Sequence, residues 1–90
     1  MMYERIVVTG AAGLIGSAVV RYLSQYNNLE VTAFDYPGTQ DLVPGSQVPL
    51  EHVDVADPRM VESLESIQPQ AVIHAAAHPG GKSLREPIEN

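Results

Sequence analysis

The chain contains no cysteine. Disulfide frameworks, thiolate nucleophiles and cysteine-ligated metals are therefore excluded. Basic residues are also scarce: Arg5, Arg21, Arg59, Lys82 and Arg85 face 11 acidic side chains, for a formal net charge of −6. Apart from the loose Lys82/Arg85 pair they are scattered, so they form no electrostatic groove. A chain of this sign repels the phosphates of nucleic acid. Charged residues at 18% and apolar residues at 44% describe a soluble globular protein, neither disordered nor membrane-embedded. The longest apolar stretch, residues 6–20 (IVVTGAAGLIGSAVV), has the look of a short signal peptide. Glu4 cancels its positive flank, however, and three glycines interrupt it at fixed spacing, so a cytoplasmic protein is expected. Ninety residues make at most one small domain, which buries roughly 60–70% of its unfolded surface.

The pattern along the chain alternates between two periods. Residues 5–9 (RIVVT) are a β-branched run ending at glycine, as in a buried parallel strand. From Leu14 the period becomes helical, with Ile15, Ala18, Val19, Tyr22 and Leu23 as the apolar stripe and Ser17, Arg21, Ser24 and Gln25 opposite. This helix is expected to end near Asn27-Asn28. Residues 30–35 (EVTAFD) read as a second strand. Pro37, Gly38, Pro44 and Gly45 make residues 36–47 a loop with no full helix. A short third strand is expected over 49–53. Asp57-Pro58 then opens a helix, an N-cap acceptor followed by proline at the first helical position. Met60, Val61, Leu64 and Ile67 form its stripe, Pro69 closes it, and residues 71–76 (AVIHAA) give a fourth strand. The tail 78–90 is polar and reads as loop. Strand–helix–strand alternation implies an α/β fold with a parallel sheet, and right-handed crossovers give the Rossmann-type order 3-2-1-4 with flanking helices.

Thr9-Gly10-Ala11-Ala12-Gly13-Leu14-Ile15-Gly16 lies between the first strand and the first helix. A pyrophosphate needs donors that approach closely, and the unpaired N–H groups of a helix's first turn supply them in a favourable dipole. In this reading Gly10 permits the tight turn, Gly13 removes a Cβ that would block the phosphate, and Gly16 lets helix and strand pack closely. An ordinary strand–helix turn is the alternative for a glycine triplet alone; the strand before, the helix after and the acid beyond argue for the phosphate site. That acid is Asp35, closing the second strand 19 positions after Gly16. A carboxylate there accepts from the adenosine ribose hydroxyls and repels a 2′-phosphate. Residues 36–47 offer no Arg or Lys for such a phosphate, so NAD is favoured over NADP.

With these residues in place the chain resembles the extended short-chain dehydrogenase/reductase family, the NAD-dependent epimerases and dehydratases. The family's opening TGxxGxxG is matched by TGAAGLIG over residues 9–16. Asp54-Val55-Ala56-Asp57 is similar to the acidic pair after the family's third strand, and Val72-Ile73-His74-Ala75-Ala76-Ala77 is close to its VIHLAA. The resemblance implies that Asp54 accepts from the adenine amino group with the Val55 backbone beside the ring. It also implies that Ala75, Ala76 and Ala77 floor the ribose and pyrophosphate, while Gly10, Ala12, Gly13, Leu14, Ile15 and Gly16 cradle the phosphates. Ala75 departs from the family, which usually has a larger apolar residue there. Asp57 is read as the helix cap, His74 as a hydrogen-bonded core group and His52 as a surface residue. His74 and His78 are four apart, but a zinc pair at that spacing needs a helix, so no metal is expected.

Members of the family transfer hydride with a tyrosine base and a lysine four positions later, beside a Ser or Thr. Tyr3, Tyr22, Tyr26 and Tyr36 all lack that lysine, and Lys82 is the only one in the chain. The expectation is thus the first part of one NAD-binding domain from a longer nucleotide-sugar epimerase or dehydratase, without turnover on its own and with no catalytic residue among these 90. A non-catalytic NAD-binding sensor or regulatory module is the alternative, as is a fragment that binds nothing. A bare outer edge on the fourth strand would favour self-association. The loop 79–85 could approach the nicotinamide or substrate, although it also reads as a plain connector.

Overall fold

The structure, a computed structural model, describes residues 4–75. It has six elements in the order β1 (Glu4–Thr9), α1 (Leu14–Leu23), β2 (Leu29–Asp35), β3 (Leu50–His52), α2 (Pro58–Ile67) and β4 (Ala71–His74). All strand pairs are parallel and the sheet order is β3-β2-β1-β4, the expected doubly wound arrangement. The strands begin or end within a residue or two of the sequence reading. No helix among the described residues is long and apolar enough to cross a membrane.

Alternation along β1 divides the core in two. Val8 joins Ala11, Val20, Ala33, Val43 and Leu50 beneath α1. Val7, on the opposite face, meets Phe34 and Met60, with Val53, Leu64 and Ile67 packed around them beneath α2. Val7 and Val8 are both completely buried, each contributing roughly 1.5–3 kcal/mol of apolar burial. A strand buried on both faces has to be apolar at consecutive positions, which explains the unalternating run of β1.

The inward face of α1 differs from its most apolar stripe. Gly16, Ser17 and Val20 are buried, whereas Leu14, Ile15, Ala18 and Tyr22 are exposed. Closest approach at Gly16 fixes this choice: a Cβ there would lie 2.1 Å from the Gly10 carbonyl oxygen and 2.9 Å from the Ala11 Cα. The side that carries Gly16 must therefore face the turn, and Ser17 is carried inward with it. Its hydroxyl is satisfied by donating to the Leu14 carbonyl. The helix also stops at Leu23, short of Asn27-Asn28. Turn hydrogen bonds from Gln25 to Tyr22 and from Tyr26 to Leu23 replace its last turn.

Helix α2 starts as expected. The Asp57 side chain accepts from the Arg59 amide at the N-terminus, and Pro58 occupies the first turn. Gln68 in the left-handed region (φ 52°) ends it before Pro69. Met60, Leu64 and Ile67 pack inward, but Val61 is largely exposed, lying one position round the helix from the contact line. Residues 36–47 form no helix, as expected, yet with Val48 and Pro49 they supply more than a solvated loop. Val43 is completely buried and is held by hydrogen bonding with Val48, beside an isolated antiparallel bridge between Leu42 and Pro49. Arg21 fastens the loop to α1 by donating from Nη1 to the Pro44 carbonyl.

Candidate functional site

The carboxyl ends of β1, β2 and β3 converge on the turn that opens α1. Gly10 leaves β1 with φ 71°, a left-handed conformation that only glycine adopts without strain. The turn is fastened to β2 twice: Ala11 N–H donates to the Phe34 carbonyl at 3.1 Å, and Ala12 N–H to Asp35 Oδ2 at 2.8 Å. Gly13 is the N-cap of α1, in extended conformation and without a side-chain cap. Its own amide turns back to the Gly10 carbonyl, and its carbonyl accepts from Ser17. No acceptor among the described residues reaches the Leu14 or Ile15 amide. Nor does the first turn of α1 contain an acidic residue to neutralise the helix's positive end. Two backbone donors and a partial positive charge thus lie open at this point.

The two later glycines of the turn differ in their surroundings. A side chain at Gly16 would collide with backbone, so the fold itself requires glycine there. A Cβ at Gly13 would meet only the Gly10 carbonyl oxygen, at an ordinary 3.5 Å. Its φ of −78° is open to any residue. The space above Gly13 is therefore free for a ligand and is not needed by the fold.

Asp35, at the end of β2, is half-buried. Its Oδ2 accepts from Ala12 and its Oδ1 from the Tyr36 amide at 2.7 Å. A carboxylate offers about four acceptor positions, so each oxygen can still take a hydroxyl. Gly10, Asp35, Tyr36, Val53 and Val55 line a shallow recess at these strand ends. Asp54 does not line it: its Oδ1 accepts from the Ala56 amide two residues on, which folds the loop after β3. Val55 is exposed at the rim. Tyr36 and Val53 were not singled out by sequence, although each adjoins a residue that was.

Ala75 follows β4 and donates its N–H to the Thr9 carbonyl at 3.0 Å, placing it next to the start of the glycine turn. Ala76, Ala77, His78 and the loop 79–85 lie outside the described residues. His74 is hydrogen-bonded as anticipated, with Nδ1 2.6 Å from Thr9 Oγ1, but it is exposed at the sheet edge and is not a core group. Its residue faces the α2 side of an outer strand, where no described element covers it. His52, expected on the surface, is half-buried and donates from Nε2 to the Gln40 carbonyl. Among the described residues no group of three or more His, Asp or Glu side chains could hold a metal ion. A more open groove beside α2 is lined by Thr32, Phe34, Glu51, Glu62, Ser63, Ser66 and Ile67. Its carboxylates and its lack of a basic group suit it poorly to a phosphate.

The family model for the NAD dependent epimerase/dehydratase family matches residues 6–88. The chain belongs to this family. Among similar curated proteins, dTDP-glucose 4,6-dehydratase 1 of Escherichia coli K12 is 38% identical over 81 residues, covering 81% of this chain and 22% of the relative. A probable dTDP-glucose 4,6-dehydratase of Sinorhizobium fredii is 40% identical over 84 residues, covering 81% of this chain and 23% of the relative. Among solved structures, the UDP-glucose 4-epimerase of Thermus thermophilus in complex with NAD superposes with a TM-score of 0.70 at 33% identity. That match covers 94% of this chain and 28% of the epimerase. The Brucella ovis UDP-glucose 4-epimerase, also in complex with NAD, gives 0.72 at 30% identity, over 94% of this chain and 26% of the other. The chain thus spans roughly a quarter of the length of the family members it matches.

Proposed function

We propose that this chain is the NAD-binding portion of a nucleotide-sugar epimerase or dehydratase that works by transient hydride transfer. The observation that carries the reading is the uncapped start of α1: the Leu14 and Ile15 amides without an acceptor among the described residues, no acidic residue in the first turn, and free space above Gly13. A diphosphate fits this cradle in charge and in hydrogen bonding. The Leu14 and Ile15 amides donate to it, Gly13 admits it, and Gly10 and Gly16 shape the turn beneath. Ala12 serves indirectly, because its amide is engaged by Asp35. That same bond holds the Asp35 carboxylate at the turn, where it accepts from the ribose hydroxyls and disfavours a 2′-phosphate. Asp54 accepts from the adenine amino group with Val55 beside the ring, and Ala75, Ala76 and Ala77 form the floor. The nicotinamide supplies reversible hydride acceptance when the cofactor is bound.

Membership in the family and the dehydratase and epimerase names of the relatives support a nucleotide-sugar substrate. Residues 1–90 contain no Tyr-x-x-x-Lys. The 90-residue chain is therefore expected to leave dTDP-glucose and UDP-glucose unchanged, which a coupled assay with added NAD measures.

Calorimetric titration of the chain with NAD and NADP tests the binding itself. Saturable uptake with NAD preferred is expected, and Gly13→Ala should weaken it about tenfold or more by filling the phosphate space, with the thermal midpoint nearly unmoved. Absence of saturable NAD uptake at millimolar concentration would overturn the reading. So would a Gly13→Ala variant that binds as well as the parent.

A further inference from the structure

The strand pair β1–β4 is tied at both ends by side chains, and the two ties sit in different places relative to the glycine turn. At the foot, the Arg5 amide donates to Gln70 Oε1 at 2.6 Å, the Gln70 amide donates to the Arg5 carbonyl at 2.8 Å, and Arg5 Nε donates to the Gln68 carbonyl at 3.1 Å. At the head, Thr9 and His74 are register partners. Their side chains meet with Oγ1 2.6 Å from Nδ1, and the Ala75 amide closes onto the Thr9 carbonyl at 3.0 Å.

Thr9 is 5% exposed, so its hydroxyl needs a protein partner, and the His74 ring is that partner. Thr9 immediately precedes Gly10, and His74 immediately precedes Ala75. One side-chain hydrogen bond therefore joins the last residues of β1 and β4. Register is already fixed by the foot and by the ladder between, so the head tie adds little to pairing. What it governs is how the turn and the residue after β4 sit relative to one another. A site for a rigid diphosphate loses affinity when its supporting groups are displaced by fractions of an ångström.

We propose that His74, acting through the Thr9 hydroxyl, is a positioning residue for the dinucleotide: it holds the glycine turn against the end of β4. The inference rests on the NAD reading above. The hydroxyl donates to an unprotonated Nδ1, or accepts from Nδ1–H in the other tautomer. Either bond is lost in Thr9→Val, which keeps the shape of the side chain, and in His74→Ala. Asparagine places an amide oxygen close to the position of Nδ1, and Thr9→Ser retains the hydroxyl.

The test measures NAD affinity and thermal midpoint across these variants, together with amide hydrogen exchange of the ligand-free chain. Thr9→Val and His74→Ala should each weaken NAD by about five- to tenfold, the span of one hydrogen bond. The double variant should be no weaker than either single one. His74→Asn and Thr9→Ser should restore binding. Gln70→Ala, which cuts the foot, should lower the thermal midpoint while leaving NAD affinity of the folded chain unchanged. Unaltered affinity in both single variants, additive losses in the double, or an equal loss in Gln70→Ala would overturn the proposal. Should the parent chain itself take up no NAD, the NAD reading fails, and exchange at the Ala75 and Ala11 amides decides the head tie. Faster exchange at both in His74→Ala sustains it; unchanged rates overturn it.

Discussion

Val7 and Val72 are neighbours in register, on the same face of the same sheet, and their surroundings are opposite. Val7 is completely buried under Phe34 and Met60, while Val72 is 50% exposed. The difference comes from where α2 lies. Its inward residues Met60, Leu64 and Ile67 cover β1 and β2 and leave β4 without a lid among the described residues. The glycine turn stands on the covered side of that boundary, fastened to β2 by two hydrogen bonds. The candidate site is thus built on the part of the sheet that is covered on both faces among the described residues. Ala75 belongs to the part whose α2-side face no described element covers.

The harshest challenge to this contrast is at Gly16. A methyl group there would enter backbone at 2.1 Å, with no flexible side chain able to yield. Gly16→Ala should therefore cost about 3 kcal/mol, the upper part of the overpacking range, read from urea unfolding. Tolerance of alanine would show that α1 is not seated by this contact and that the covered region is looser than described. Matched truncations then measure the contrast directly. Val7→Ala should cost about 2 kcal/mol through lost burial and a residual cavity, and Val72→Ala no more than about 0.5 kcal/mol. Equal costs would mean that something covers β4. A separate expectation concerns the edge and not that face: we propose self-association by backbone pairing along the outer edge of β4, which leaves the Val72 face open and which sedimentation should reveal as a species above monomer mass. A monodisperse monomer would rule it out.

Much of the covered region was legible in the residues themselves. A glycine-terminated β-branched run, Asp57-Pro58 and the Pro69 stop each carry a local physical requirement, and each appears where that requirement places it. The inward face of α1 was not legible by periodicity, because apolar residues surround that helix and steric access at Gly16 decides among them. Val43 was hidden for a related reason: a buried loop residue leaves no period to detect. The recess is lined by Gly10, Asp35 and Val55, each named from the sequence, while Tyr36 and Val53 entered through strand geometry alone. His74 was read as hydrogen-bonded but placed in a core: the order 3-2-1-4 put β4 at an edge, yet its apolar pattern does not show that α2 stops short of covering it.

The gentlest probe of the same contrast is acid. The Arg59 side chain and the Arg59 amide both bond the Asp57 carboxylate, holding its pKa below the ordinary 3.8. A depressed carboxylate stabilises the fold above its unfolded value and loses that contribution as pH falls through the folded one. The window therefore opens below about pH 4, and the effect is small because the pair is exposed to solvent. Asp57→Asn retains a capping oxygen but has no charge to titrate. Below pH 4 the thermal midpoint of the parent should consequently fall more than that of Asp57→Asn, all other carboxylates being common to both. Added salt should shrink only the part owed to Arg59, leaving the cap's share. Because Asp57 starts the helix that covers Val7 and not Val72, acid should speed amide exchange at Val7 more in the parent than in Asp57→Asn, with Val72 indifferent to the substitution. If Val72 responded as strongly as Val7, α2 would be acting on the whole sheet and the boundary between its two halves would vanish.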